Sequence, residues 1–218
     1  MSNGVGLVLA GGGGKGAYHI GVWKALKQFG IDNNIIAVSG TSVGALNAVL
    51  FAQENYEIAE SVWRNISTDK ILKVDFKKVI LGLLQAGLIK GEMAILSLLF
   101  KEFYGSGIFS RQGLLEIIDN SINLDYVRNS SLDIFAAAYN IRSLEVEYFN
   151  INSANDEKIK KILLASSALP IIFDKEEIDG QYYIDGGIKD NVPIKPLYNN
   201  GLRNFIVVHL GRESLVSK

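Results

Sequence analysis

Short apolar runs alternate with amphipathic segments along the first quarter of the chain. Residues 5–10 and 35–38 are apolar runs of strand length, and residues 15–29 and 45–53 carry apolar side chains at helical spacing. A glycine-rich segment lies between each predicted strand and the helix that follows it. This order predicts an α/β fold built on a parallel sheet with helices on its faces.

The rest of the chain predicts further strands and helices in a less regular order. Ser110 is a suitable cap for a helix that runs through residue 119, and residues 157–167 also read as a helix. The other predicted elements are a helix at 57–66, strands at 132–139, 145–150 and 205–210, and a hairpin over 178–184 that turns at Asp179-Gly180.

Composition limits the function classes. The chain has 218 residues, enough for one α/β domain over residues 1–218 but too few for two full catalytic domains. Acidic and basic residues number 23 and 22, so nothing in the charge balance favours a nucleic-acid partner. Cysteine is absent, which excludes disulfides and thiolate metal sites.

The hydropathy pattern also bears on location. No apolar run of about 18 residues is uninterrupted, and no basic segment precedes residues 5–10. We therefore expect neither a transmembrane helix nor a cleaved signal peptide, and we expect a soluble cytoplasmic protein. Secretion without a cleaved signal stays open.

The first candidate for chemistry is a serine between a predicted strand and a predicted helix. Gly40, Ser42 and Gly44 form a G-x-S-x-G sequence, predicted as a tight turn over residues 40–44. Such a turn exposes the serine hydroxyl, and the small flanking residues relieve crowding. The N–H of Val43 would lie at the start of the helix, where partial positive charge favours an oxyanion. A turn without chemistry is the alternative.

The second candidate is the glycine loop before the first helix. The loop consists of Gly11, Gly12, Gly13 and Gly14. In such loops the backbone N–H groups converge on one point and can bind an anion. The ligand would be a phosphate or the oxyanion of a tetrahedral intermediate, with Lys15 as a possible anion contact.

The glycine spacing also fits a dinucleotide site. That site needs an acidic residue at the end of the second strand, whereas Asp32 precedes this strand. A Walker A loop is excluded because Gly16 follows Lys15 where Ser or Thr is needed. We therefore favour the oxyanion interpretation.

A base is needed to activate Ser42. The chain has two histidines: His19 falls within the first predicted helix, and His209 within the last predicted strand, so structural roles are favoured for both. Asp185 ends a predicted strand and is followed by Gly186 and Gly187, which allow another loop to approach its carboxylate. An ordinary Asp-Gly turn remains the alternative.

Taken together, these motifs resemble the patatin-like phospholipase family. The resemblance rests on residues 11–16 (GGGGKG), 40–44 (GTSVG), 165–173 (ASSALPIIF) and 185–193 (DGGIKDNVP). It implies a three-layer α/β/α sandwich around a mainly parallel central sheet, and a Ser42–Asp185 dyad with the glycine loop as oxyanion hole. The implied activity is hydrolysis of fatty-acyl esters, such as those of phospholipids, without a metal or other cofactor.

Several alternatives remain open. The order Ser42, Asp185, His209 also matches a Ser-Asp-His carboxylesterase triad, and the same fold can serve a non-catalytic protein that binds lipids or anions. The very apolar residues 79–100 form either a lid that contacts a membrane or part of the core. The sequence predicts no oligomeric state. Many relatives continue past the strand at 205–210, so we expect either that the chain lacks a C-terminal element or that it is part of a longer protein.

Overall fold

The computed structural model describes residues 4–66, 71–72, 108–170 and 172–211, and a seven-stranded mixed sheet lies at their centre. The predicted apolar segments 79–89 and 93–100 lie outside these residues. The strands of the sheet are β1 (Val5–Leu9), β2 (Ile35–Thr41), β5 (Asp133–Asn140), β6 (Glu145–Asn150), β7 (Glu176–Ile178), β8 (Gln181–Asp185) and β9 (Asn204–Val208). A separate antiparallel pair consists of β3 (Ile71–Leu72) and β4 (Ile108–Phe109).

Helices follow most of the strands. They are α1 (Ala17–Gln28), α2 (Val43–Ala52), α3 (Tyr56–Arg64), α4 (Arg111–Ser121), α5 (Leu124–Arg128), α6 (Asp156–Ser166) and α7 (Lys195–Asn199). Short 3-10 helices cover Gly13–Gly16, Asp32–Asn34 and Gly186–Ile188. Ser110 caps α4 as predicted, because its Oγ accepts a hydrogen bond from the Gly113 N–H.

The sheet has a parallel centre and an antiparallel flank. Strands β9, β1, β2 and β5 are parallel neighbours in that order, whereas β6 and β8 pair antiparallel with β5 and β7 pairs with β8. Because parallel strands end at the same edge of a sheet, the turns after β1 and β2 lie side by side there.

Side chains alternate between the two faces of the sheet. Leu7 and Leu9 join the large core cluster that includes residues of α1, α2, α4 and α6, whereas Val8 joins a smaller cluster with Leu197 of α7. All ten residues of α2 are buried, which explains why this helix is apolar on every side. The predicted α/β fold with helices on the faces of a mainly parallel sheet is confirmed.

One edge of β5 is shared by two strands that meet end to end. Along one edge β5 pairs with β6 over Phe135–Asn140, so β2 and β8 must both use the opposite edge. On that edge β2 ends with Thr41 opposite Ala137, and β8 ends with Asp185 opposite Ala138. The ends of β2 and β8 therefore meet at adjacent positions of one strand.

Three details differ from the sequence prediction. Strand β2 extends to Thr41, which confines the predicted turn over 40–44 largely to Ser42. The last strand ends at Val208, so the placement of His209 within a strand was wrong. The short helices α5 and α7 were not predicted, because five residues are too few to display a helical period.

The helices of the described ranges are of ordinary globular length; α1, for example, has 12 residues. No helix in these ranges is both long enough and apolar enough to span a bilayer.

Candidate active site

Ser42 occupies the single residue that joins β2 to α2. Its backbone has φ 56° and ψ −125°, a region that side-chain-bearing residues rarely adopt. A Cβ on Gly40 would lie 2.1 Å from the carbonyl oxygen of Gly44, and a Cβ on Gly44 would lie 2.1 Å from the carbonyl oxygen of Leu9. Both glycines are therefore required by close backbone contacts, which maintain the strained elbow.

The shared edge of β5 brings Ser42 and Asp185 together. Ser42 directly follows Thr41, which lies opposite Ala137, while Asp185 lies opposite the next residue, Ala138. Both side chains are secluded, with Ser42 4 % exposed and Asp185 fully buried. The two residues of the predicted dyad thus stand at the junction of two strand ends, although they are 143 positions apart in the chain.

Asp185 is fixed by hydrogen bonds on both its main chain and its side chain. Its N–H donates to the carbonyl of Ala168 at 2.9 Å, and its Oδ1 accepts from the Gly187 N–H at 2.7 Å. Gly186 passes so close to β5 that a Cβ there would lie 2.6 Å from the Ala137 carbonyl oxygen. Gly186 therefore permits close approach to strand β5, and Gly187 provides a hydrogen-bond donor to the carboxylate.

The segment after Asp185 crosses the carboxyl ends of the parallel strands. The Thr41 hydroxyl donates to the Asp190 carbonyl at 3.0 Å, and the Ser39 hydroxyl donates to the Pro193 carbonyl at 2.6 Å. These bonds tie the Asp185 segment to β2, the strand that leads into Ser42. Ser39 and Thr41 were not singled out from the sequence, because their partners are about 150 residues away.

The glycine loop is attached to this same crossing segment. The Gly11 N–H donates to the Asn191 carbonyl at 3.2 Å, and Asn191 Nδ2 donates to the Gly11 carbonyl at 3.2 Å. This occupied N–H contradicts the expected donor role of Gly11, which instead anchors the loop. Gly13 has φ 56° and begins the short 3-10 helix Gly13–Gly16.

The other four predicted oxyanion donors lie at or next to the start of a helical segment, and their role stays a prediction. The first N–H groups of a helical segment have no acceptor within it, which applies to Gly13 and Gly14 and, at the start of α2, to Val43. Gly12 immediately precedes that turn, in extended backbone with φ 169°. Lys15 lies half-buried on the same turn, and its role as an anion contact stays a prediction.

A buried hydrogen-bond network centred on Asn47 contacts the end of the glycine-rich segment. Asn47 Nδ2 donates to the Gly16 carbonyl at 3.0 Å and contacts His19 Nδ1 at 3.0 Å, while Asn47 Oδ1 accepts from Trp63 Nε1 at 2.8 Å. Because Asn47 Nδ2 is a donor, His19 Nδ1 must accept, and the ring carries its proton on Nε2. No sequence signal pointed to Asn47, which lies among apolar residues of α2.

Burial governs the protonation of His19. Removal from water lowers its pKa to about 4, although the nearby Val208 carbonyl acts in the opposite direction. A second proton would have to sit on Nδ1, facing the amide donor of Asn47. His19 is therefore a neutral core residue of α1, as the structural interpretation of the sequence expected.

His209 lies on the other side of β1 from the elbow. It follows the end of β9, and it is exposed. Strand β1 lies between β9 and β2 in the sheet, so β9 is two strand spacings, about 10 Å, from β2. The structure thus brings Asp185, and not His209, to the strand junction beside Ser42.

A cleft of about 290 Å³ opens beside the residues that hold Asp185. Its wall includes Ser167 and Ala168, and the Ala168 carbonyl is the acceptor for the Asp185 N–H. The other lining residues are Ser110, Arg111, Leu114, Leu164, Ile172, Phe173, Asp174, Lys175 and Glu176. Within the described ranges, no group of three or more His, Asp or Glu side chains is arranged to bind a metal.

Comparisons with known proteins agree with this architecture. The model of the patatin-like phospholipase family matches residues 7–198. Lysophospholipase NTE1 of Cryptococcus neoformans is 29% identical over 209 residues, and the neuropathy target esterase sws of Drosophila melanogaster is 28% identical over 211 residues. These alignments cover 95% and 97% of this chain but only 11% and 13% of the relatives, so the chain spans about an eighth of their length.

A solved structure shows the same fold. VipD from Legionella pneumophila superimposes with a TM-score of 0.56 at 19% sequence identity, covering 88% of this chain and 47% of VipD. The match to the family model extends from β1 through α7 and includes the elbow, the glycine loop and the Asp185 segment. The chain therefore belongs to the patatin-like phospholipase family, whose members are carboxylic ester hydrolases.

Proposed function

We propose that this protein is a serine lipid acyl hydrolase of the phospholipase A or lysophospholipase type, with Ser42 as nucleophile and Asp185 as its base. The observation that carries the proposal is the meeting of β2 and β8 on one edge of β5, which brings the ends of these two strands together. Family membership and the lysophospholipase relatives support an acyl-ester substrate.

The first half-reaction forms an acyl-enzyme. Asp185 takes the proton of the Ser42 hydroxyl as Oγ bonds to the ester carbonyl carbon, and the carbonyl π electrons move to oxygen. When the tetrahedral intermediate collapses, the bond to the alcohol breaks and Asp185 returns the proton to the leaving oxygen. The product alcohol departs, and the acyl group remains on Ser42.

The second half-reaction releases the fatty acid. Asp185 accepts a proton from water as the water oxygen attacks the acyl carbon. The bond to Ser42 Oγ then breaks, and the proton passes from Asp185 to Oγ. The enzyme returns to its starting state without any metal or cofactor.

The oxyanion of both intermediates is assigned to backbone donors. Gly12, Gly13 and Gly14 supply N–H groups from one side, and Val43 supplies one from the first turn of α2. Gly11 is omitted because its N–H donates to Asn191. Loss of one such donor typically costs about 2.7–4 kcal/mol of transition-state stabilisation.

The acyl chain is assigned to the cleft beside Asp185. Leu114, Leu164 and Phe173 form the apolar part of a wall that also carries charged residues, and about 290 Å³ accommodates part of a fatty-acyl chain. The cleft borders the turn that binds Asp185, so a chain seated there would enter close to the reacting ester. Contact with a membrane surface is part of the proposal, since acyl lipids reside there.

Two alternatives predict different behaviour. A Ser-Asp-His esterase requires His209, which lies beyond β1 from the junction. A non-catalytic lipid-binding protein on the same fold would not react with a fluorophosphonate, which labels activated serines.

The direct experiment is mass spectrometry of a phospholipid and lysophospholipid mixture before and after incubation with the purified protein. We expect free fatty acid and the matching deacylated lipid to appear with the wild type. Ser42→Ala protein, folded as judged by circular dichroism, should produce neither and should resist fluorophosphonate labelling. Equal hydrolysis by the two proteins would refute the assignment of Ser42.

A further inference from the structure

The hydroxyl of Ser166 bridges the elbow to the central strand. Ser166 is fully buried at the last position of α6. Its Oγ accepts the Ser42 N–H at 2.8 Å and donates to the Ala137 carbonyl at 2.7 Å. One hydroxyl therefore pairs with the N–H of Ser42, 124 residues away in the chain, and with the carbonyl of Ala137 on β5, 29 residues away.

This bridge lies where the sheet is interrupted. If β2 continued beyond Thr41, Ser42 would come level with Ala138, and its N–H would face the carbonyl of Ala137. The elbow turns the chain away, and β8 ends from the other direction at Asp185. Ser166 Oγ occupies the resulting gap, so neither the Ser42 N–H nor the Ala137 carbonyl is left unpaired in the interior.

The same turn also fixes Asp185. Two residues after Ser166, the carbonyl of Ala168 accepts the Asp185 N–H at 2.9 Å. The end of α6 thus contacts the backbone of both Ser42 and Asp185. Neither contact involves a side-chain atom that reacts.

We infer that Ser166 is a positioning residue, which sets the elbow of Ser42 relative to Asp185. The inference rests on the proposed Ser42–Asp185 dyad. Ser42 has a strained backbone, so its geometry depends on fixed contacts such as this one. A second consequence is that the Ser42 N–H is occupied by Ser166 and does not serve as an oxyanion donor.

Removal of the hydroxyl should affect turnover more than substrate binding. Ser166→Ala leaves the Ser42 N–H and the Ala137 carbonyl without their shared partner, so the elbow shifts. Displacement of a reacting group by about 1 Å can cost about 100-fold in rate. We expect a loss of kcat of roughly 10- to 100-fold with little change in KM, because Ser166 is not part of the cleft wall.

The test compares kcat per active site in wild type, Ser166→Ala and Ser130→Ala on a soluble acyl ester. Ser130 is a matched control, because its hydroxyl also accepts an N–H (Leu132) and donates to a carbonyl (Ala52). It precedes β5, at the end of the strand remote from Ala137. Active sites are counted by fluorophosphonate labelling carried to completion, which removes any contribution of unfolded protein.

The inference predicts that kcat per labelled site falls only in Ser166→Ala, and that Ser166→Cys, which retains a weak donor and similar size, loses less. Equal kcat per site in all variants would overturn it, as would a change confined to KM. Ser42→Ala is assayed in parallel. If it retained hydrolysis, the proposed function would fail, whereas an inactive Ser42→Ala with a fully active Ser166→Ala refutes only the role of Ser166.

Discussion

At the scale of single residues, close backbone contacts explain why the elbow has a glycine on each side of Ser42. A Cβ at Gly40 or Gly44 would lie 2.1 Å from a carbonyl oxygen, that of Gly44 in the first case and that of Leu9 in the second. Backbone atoms cannot rotate away as a flexible side chain would. The tightness of the elbow is therefore a property of the surrounding backbone rather than of Ser42 alone.

This contact predicts a large difference between two Gly→Ala variants. Gly44→Ala forces Leu9 of β1 away from α2, and we expect a loss of at least about 2 kcal/mol in the free energy of unfolding. Gly21→Ala, in an open position of α1, should instead stabilise the protein by about 0.5–1 kcal/mol. Urea denaturation of both variants measures the two values. Equal stabilities would show that the elbow has more room than the structure indicates.

A site residue could be predicted from the sequence only where its neighbours in the chain indicate its role. The residues of the elbow and of the Asp185 turn were recognisable because the chain itself places glycines beside them. Gly11 could not be assigned correctly, because the group that occupies its N–H is Asn191, 180 residues away. The contacts of Ser166 and Asn47 could not be predicted for the same reason, since their hydrogen-bond partners are not neighbours in the chain.

At the scale of elements, hydrophobic periodicity predicted most strands and helices near their observed limits. Strand β1, the helix capped by Ser110 and the hairpin at Asp179-Gly180 are examples. Periodicity reports which residues share a face, but not which strands are neighbours. The end-to-end arrangement of β2 and β8 on β5 depends on the register of three strands, and no local pattern encodes it.

The segment after β8 shows how elements assemble the site. Asp190 and Pro193 accept hydrogen bonds from β2, and Asn191 is bonded to the glycine loop. Ser42, Asp185 and the glycine loop, which carry the proposed chemistry, are therefore linked through a single connection across the sheet edge.

At the scale of the whole molecule, the family match over residues 7–198 includes every element of the proposed site. We propose that these residues form one catalytic domain. The relatives are far longer, so activities and partners that depend on their other regions are not transferred to this chain.

Stability should depend on pH through the buried His19. Its pKa is about 4 in the folded protein against 6.5 for the ordinary side chain, so between these values the unfolded chain binds a proton that the folded protein does not. The stabilisation is complete above about pH 6.5 and falls as pH decreases, with a loss of about 3 kcal/mol once pH is below about 4. About 2 kcal/mol of it should be lost between about pH 8 and pH 5.

Urea denaturation at several pH values, on wild type and His19→Gln, isolates this contribution. The variant cannot titrate at residue 19, so its free energy of unfolding should fall less steeply between about pH 8 and pH 5. The two slopes can be compared directly, because a uniform destabilisation by the substitution does not alter them. Parallel pH dependence of the two proteins would mean that His19 is not neutralised by burial.

The most direct test of the central claim, a Ser42–Asp185 dyad, is kcat of Asp185→Asn and His209→Ala on one soluble acyl ester. Asp185→Asn keeps the shape of the side chain but removes the base, so kcat should fall by several orders of magnitude. His209→Ala changes an exposed residue beyond β1 and should keep most of the wild-type kcat. A folded His209→Ala protein as inactive as Asp185→Asn would contradict the dyad and establish a triad in its place.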